Sequence, residues 1–278
     1  MIVEGYVAGR HKSPFHGFSV EFAEHREYAP GDDLRHVDWK IFGRSDRYYL
    51  KQYEEETNFA CHILLDASES MKYRSEAAPV SKLEYAKLVT AALTYLVLQQ
   101  QDAVGLTTFD RSVRSLIKAS SYGSHFKQIC HVLEQTEPSG ESDVGPLLHE
   151  MAERIRKRGL VLILSDFFDD PHSLRLGLKH LRHRRHEVIA LQIVDPAEIE
   201  FPFDDPTLFK GLEIPHEEMI DPRALQRAYR DEFASFLKET QGLCRELHVE
   251  HVLLRTDTNL GSALSGFLTA RASRGGGR

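Results

Sequence analysis

From residue 60 onward the chain alternates short, unbroken apolar runs with stretches in which apolar residues return every three or four positions. The first pattern suits strands buried on both faces; the second suits helices that cover a sheet with one stripe. Apolar runs at 60–65, 103–109, 160–164, 188–194 and 249–254 predict five strands, and 112–117 predicts an antiparallel edge strand turned near Asp110. Ser81-Lys82-Leu83-Glu84 has capping-box spacing, in which a hydroxyl and a carboxylate three residues apart each satisfy an amide that the helix start leaves free. Val89, Leu93, Leu96 and Val97 then recur at helical spacing. Phe126, Ile129, Cys130 and Leu133 predict a second helix; Val144, Leu147, Leu148, Met151 and Ile155 a third; Leu174, Leu178 and Leu181 a fourth. Asp221-Pro222 opens a long fifth helix, an N-cap followed by proline in the first turn, with Leu225, Tyr229, Phe233, Phe236 and Leu237 expected to face inward. A last helix is predicted near Leu260.

Alternation of this kind argues an α/β fold with a doubly wound, mostly parallel sheet of Rossmann type, spanning residues 60–270. Residues 195–220 interrupt it with four prolines and scattered aromatics, which reads as an excursion, in one form a hairpin. The Gly- and Arg-rich tail, 271–278, is expected to be disordered. Residues 1–59 lack a helical period and read as a β-rich N-terminal collar, with a turn at Pro30-Gly31-Asp32-Asp33 and a strand-like stretch at 48–53. Its charged residues can pair with one another while Trp39 packs. The alternative is a partner-docking surface built on Arg26, Arg35, Asp38 and Trp39, since Arg and Trp concentrate binding energy at interfaces.

Composition narrows the function classes. The 278 residues are 41% hydrophobic and 28% charged, ordinary for a globular protein, and the formal net charge of -7 argues against general nucleic-acid or anionic-membrane binding. Cys61, Cys130 and Cys244 are odd in number and lack metal-type spacing, which fits a reducing compartment. The start carries no signal-peptide pattern and no apolar run approaches membrane-spanning length, so the expected location is the cytoplasm. There is no phosphate-binding Gly-rich loop with Lys-Ser/Thr. His180 and His183 sit in a basic run that reads as a solvated helix end.

The chemistry gathers where the apolar runs stop. Residues 63–65 lead into Asp66, Ser68 and Ser70, whose alternate spacing lets a curled loop turn all three toward one point. Hard oxygens of this kind suit magnesium, with manganese the alternative ion. The run at 160–164 likewise ends on Ser165-Asp166, placing Asp166 at the same sheet edge if the strands are parallel neighbours, and Ser142 in the loop before the third helix offers another hydroxyl. Each part also has a plain structural reading: Asp and Ser favour turns and helix caps, and Ser142 or Asp143 suits an N-cap.

Together, the Asp-x-Ser-x-Ser run after the first strand, a hydroxyl before the third helix and an Asp after the next strand resemble the metal-ion-dependent adhesion site of von Willebrand factor type A domains. The upstream run from Phe22 to Trp39, containing Tyr28-Ala29-Pro30-Gly31-Asp32-Asp33, resembles the hallmark of the bacterial family catalogued as domain of unknown function 58, whose members join it to a type A domain. The resemblance implies a metal held by Asp66, Ser68, Ser70, Ser142 and Asp166, the hydroxyls directly and the carboxylates largely through water, with a position left for an acidic residue of a protein partner. The family site usually has Thr where this chain has Ser142, a less restricted hydroxyl. The resemblance further implies a non-catalytic adaptor working with a MoxR-type AAA+ ATPase in a chaperone-like system, here as a shorter soluble form than relatives that carry membrane spans. Two readings compete with it: a magnesium-dependent phosphatase-like hydrolase with Asp66 as nucleophile, weakened because Ser68 stands where that chemistry wants an acid, and a metal-free scaffold.

Overall fold

The computed structural model describes residues 20–27, 48–55, 60–212 and 217–275. Arg10–Phe59 forms one compact unit, and Ala60–Arg278 belongs to a second. In the first, β1 (Val20–Glu27) runs antiparallel to β2 (Tyr49–Glu55), with a register shift between Phe22 and Glu24. Arg26 lies on β1 opposite Leu50. Arg35, Asp38, Trp39 and the turn at 30–33 fall outside the described residues.

The second unit is built on β3 (Ala60–Asp66), β4 (Ala103–Phe109), β5 (Val113–Ser120), β6 (Leu160–Ser165), β7 (Glu187–Val194) and β10 (Glu250–Arg255). They lie in the order β5-β4-β3-β6-β7-β10, all parallel except the edge strand β5, which returns antiparallel to β4. The helices are α1 (Lys82–Gln99), α2 (His125–Gln135), α3 (Val144–Arg154), α4 (Pro171–His183), α5 (Pro196–Glu200), α6 (Pro222–Glu246) and α7 (Leu260–Gly275). Chain order reverses direction across the sheet between β3 and β6, the switch point at which open α/β sheets gather ligands.

Both faces of the sheet are covered, which is why β3 and β6 read as continuous apolar runs. Leu64 of β3, with Val161 and Ile163 of β6, packs in one core with Val144, Leu148 and Met151 of α3 and Leu174, Leu178 and Leu181 of α4. By the alternation of side chains along a strand, Cys61, Ile63 and Leu65 face the other way, the side on which α1 packs against β3 and β4. Helices α3 and α4 meet at close quarters because Gly145 and Gly177 stand at the crossing. A Cβ on Gly145 would lie 2.2 Å from Ser173 Oγ, and one on Gly177 would lie 2.6 Å from the Gly145 carbonyl.

The excursion at 195–220 becomes the short helix α5 and a hairpin, β8 (Thr207–Lys210) with β9 (Glu217–Ile220). Phe201 ties it to α6, its ring 4.4 Å from Tyr229 and 5.7 Å from Phe209. Two expectations are corrected here. Leu225, in the first turn of α6, is 46% exposed, whereas Phe233 further along the same stripe is buried. The last helix continues to Gly275, into the segment expected to be a disordered tail. Among the described residues, no helix is long and apolar enough to cross a membrane.

Candidate functional site at the carboxyl ends of the central strands

Register decides which side chains meet at the rim. Leu65 of β3 pairs with Leu164 of β6, so Asp66 comes level with Ser165, and residues paired across parallel strands point to the same face. That face is the α3 side. Asp66 Oδ2 accepts hydrogen bonds from Ser165 Oγ at 2.6 Å and from Ser142 Oγ, in the loop before α3, at 3.0 Å. Asp66 Oδ1 accepts from the Ser68 amide at 2.9 Å, closing the curl of the loop, and Ser68 Oγ lies 3.1 Å from Ser70 Oγ. A single 3₁₀ turn, Glu69–Lys72, continues from there to α1.

The backbone holds this loop against its neighbours. The Ala67 amide donates to the Phe109 carbonyl at 2.7 Å, the Glu69 amide to the Gly140 carbonyl at 2.9 Å, and the Ser139 amide to the Ala67 carbonyl at 2.9 Å. Gly140 has φ +69°, a left-handed turn that suits glycine and sends the chain back toward Asp66 with Ser142 on it. Neither Ser142 nor Asp143 caps α3 with its side chain. The Gly145 amide is instead satisfied by Asp169 Oδ2 at 2.9 Å, which leaves the Ser142 hydroxyl free for Asp66.

Asp166, one residue further along β6, turns to the opposite face and meets α1. Its Oδ2 accepts from Lys82 Nζ at 2.8 Å, and its Oδ1 accepts from the Phe168 amide at 3.2 Å. Lys82 is 1% exposed and also donates to Glu198 Oε1 of α5 at 2.6 Å. Its ammonium lies 5.1 Å from the centroid of the Phe168 ring. Glu198 in turn accepts from the Asp195 amide at 2.7 Å, and the Ser75 amide donates to Asp195 Oδ2 at 3.0 Å, so the triad is anchored to the loop leading into α1. Directly after Asp166 the chain at Phe167 takes φ 61°, a conformation that costs a residue with a side chain about 1 kcal/mol or more and persists here because its ring is sealed in the α3–α4 core.

The electrostatics of the two carboxylates follow from these partners. Burial pushes the Asp66 carboxyl up to about 6, the charge of Asp166 adds to the rise, and hydrogen bonds from Ser165 and Ser68 oppose it. Burial acts to lower Lys82, but the charges of Asp166 and Glu198 outweigh it and hold the ammonium above its ordinary value.

The Asp66 cluster fits a small hard cation. Oxygens about 2.1 Å from an octahedral magnesium stand roughly 3.0 Å apart along each edge. The Ser68–Ser70 and Ser142–Asp66 oxygens, now joined by hydrogen bonds of 3.1 and 3.0 Å, already stand at a separation such an edge would allow. Among the described residues, no group of three or more His, Cys, Asp or Glu side chains is arranged to hold a metal, so a cation at this rim would depend on hydroxyls.

Of the five residues singled out from the sequence, the structure gathers Asp66, Ser68, Ser70 and Ser142 into one hydrogen-bonded group and sets Asp166 beside it with its carboxylate engaged by Lys82. Ser165, Lys82 and Glu198 went unrecognised. A cation at the first position of a helix opposes the macrodipole, and that was the available signal for Lys82. Gln192 was likewise unmarked; fully buried, it donates to the Asp166 carbonyl at 2.9 Å, and its Oε1 lies 2.8 Å from His251 Nε2. His180 stands in the basic last turn of α4, as expected of a solvated helix end, and there its Nδ1 lies 2.9 Å from His149 Nδ1.

The family described as Protein of unknown function DUF58 matches residues 24–242. The uncharacterized protein Rv1480 of Mycobacterium tuberculosis is 26% identical over 237 residues, covering 84% of this chain and 72% of that protein, and the uncharacterized protein Mb1516 of Mycobacterium bovis matches equally. Among solved structures, an aerotolerance-related membrane protein from Bacteroides fragilis aligns with TM-score 0.52 and 17% identity over 76% of this chain and 97% of that one. The conserved hypothetical protein BatB from Bacteroides thetaiotaomicron aligns with TM-score 0.50 and 16% identity over 77% of this chain and 99% of that one. These two alignments speak to fold. With the observed strand order and the antiparallel edge at β5, the fold is von Willebrand factor type A-like.

Proposed function

The chain belongs to the DUF58 family, and from that membership and the geometry of the rim we propose that it is a protein-interaction adaptor that binds partners through a divalent cation. The observation that carries the reading is the convergence of the Ser142 and Ser165 hydroxyls and the Ser68 amide on one buried carboxylate, Asp66, with the Ser68 and Ser70 hydroxyls close by. Asp66, Ser68, Ser70 and Ser142 would hold magnesium or manganese, with Asp166 acting at longer range. A bound cation would supply a Lewis-acidic position for a carboxylate of the partner. Because the hydroxyls are neutral, they leave the ion most of its positive charge, which favours such an exchangeable acidic ligand. The partner implied by the family resemblance is a MoxR-type AAA+ ATPase, met in the cytoplasm.

A hydrolytic role draws no support from the rim. Asp66 is fully buried with both carboxylate oxygens accepting hydrogen bonds, and the residue two positions on is Ser68, which cannot protonate a leaving group near neutral pH. The test is magnesium titration by calorimetry into wild type and Asp66→Ala, followed by capture of a purified MoxR-type ATPase with and without chelator. Saturable binding lost in Asp66→Ala and chelator-sensitive capture are expected. Capture indifferent to chelator would favour a metal-free scaffold.

A further inference from the structure

We infer that Lys82 is a tethered counter-ion that weakens the cation site on the opposite face of the sheet by withholding the charge of Asp166. The inference rests on the cation reading proposed above. Nothing local calls for lysine at position 82. It is the first residue of α1, where a cation opposes the helix dipole, and the capping box that starts the helix is made by Ser81 and Glu84 alone. Nor does net stability account for it, since a buried ion pair is commonly no more stabilising than apolar residues of the same volume. What the ammonium does contribute is a fixed charge out of reach of solvent, 2.8 Å from Asp166 Oδ2 and 2.6 Å from Glu198 Oε1.

Its effect reaches Asp66 through Asp166. Asp66 ends β3 and Asp166 directly follows the adjacent strand β6, in a buried setting where charges are weakly screened. Asp66, Asp166 and Glu198 carry three formal negative charges, and the one ammonium pairs with Asp166 and Glu198 only, which leaves two of the three unbalanced. Without Lys82 three would remain, and the same ion would be held harder. Asp166 occupied by Lys82 also contributes less of its charge to the ion, which therefore stays more attractive to an acidic ligand from outside. Lys82 is in this sense a positioning and affinity-setting residue. It trades tight cation binding for a rim that can exchange.

The experiment is calorimetric titration of magnesium into wild type and Lys82→Met, with thermal unfolding of both proteins in chelator and in magnesium. Lys82→Met should bind magnesium at least ten-fold more tightly, and its unfolding temperature should become more magnesium-dependent than that of wild type. A merely structural lysine would give the opposite sign, because a loosened rim binds less well. Binding in wild type that is unchanged or weaker in Lys82→Met overturns the inference and leaves the cation reading standing. No binding in either protein overturns both. A Lys82→Met protein that unfolds in chelator and refolds with magnesium is the expected result in stronger form. Should it stay unfolded in both conditions, Glu198→Gln decides: removing one carboxylate should weaken magnesium binding at least three-fold, and equal or tighter binding overturns the inference.

Discussion

Asp66 and Asp166 are fully buried, stand one strand apart at the same rim, and are kept there by different means. Asp166 has a cation of the protein's own, Lys82, shared with Glu198 and laid against the Phe168 ring. Asp66 has four serine hydroxyls within its cluster and one amide, all neutral, and its carboxyl is held well above the ordinary range. One pocket is electrostatically complete as the chain folds; the other accepts the cost of a charge without a partner. A site meant to take up a cation from solution has to look like the second.

The sharpest way to break this contrast is to empty the complete pocket. Lys82→Ala leaves Asp166 and Glu198 buried without a counter-charge, and should cost about 3–5 kcal/mol of stability in chelator, measured by urea unfolding. A loss below about 1 kcal/mol would mean that the triad is wetter than the 1% exposure of Lys82 implies. A partly buried imidazole on the same strand as Asp66, His62, sets the background. Burial lowers His62 from 6.5 to about 4, with the charge of His186 adding to the fall, so the folded protein holds it neutral. The unfolded chain then binds the extra proton below about 6.5, and stability falls as pH drops from there toward 4. Comparing wild type with His62→Gln at pH 7 and 4.5 should isolate an additional loss on the order of 2 kcal/mol in wild type.

Smaller effects belong to the open pocket. Gly140→Ala forces a side chain into a left-handed turn and should cost about 1 kcal/mol, with cation binding weakened because Ser142 is carried by that turn. Asp66→Asn removes a charge that nothing balances, so its stability in chelator should stay within about 1 kcal/mol of wild type, even as magnesium binding disappears from the calorimeter. A large loss of stability from this last change would show that the two pockets are alike after all.

How much of this was legible along the chain depends on the range of the interaction concerned. Strands and helices were, because their periods are local: the uniform apolar runs of β3 and β6 already report a sheet covered on both faces, and the excursion announced itself by its prolines. Leu225 shows the limit, since a stripe names the face a helix would bury without saying whether anything lies against it. The Asp66-Ser68-Ser70 curl was legible for the same local reason, its hydrogen bonds spanning only two residues at a time. Ser142 could be nominated from chain order alone. Ser165 could not, standing as one small polar residue at the end of an apolar run, and Lys82 was hidden inside a capping box that accounts for its neighbours and leaves it unexplained.

The sequence by itself therefore determined the elements, their order and which strand ends carry oxygen ligands. It could not determine the register between β3 and β6, because that is set by how two runs more than ninety residues apart pack against the same helices. Since side chains alternate from face to face along a strand, that register settles the division of the rim: Ser165 joins Asp66 on the α3 side, while Asp166 turns away to the lysine at the start of α1.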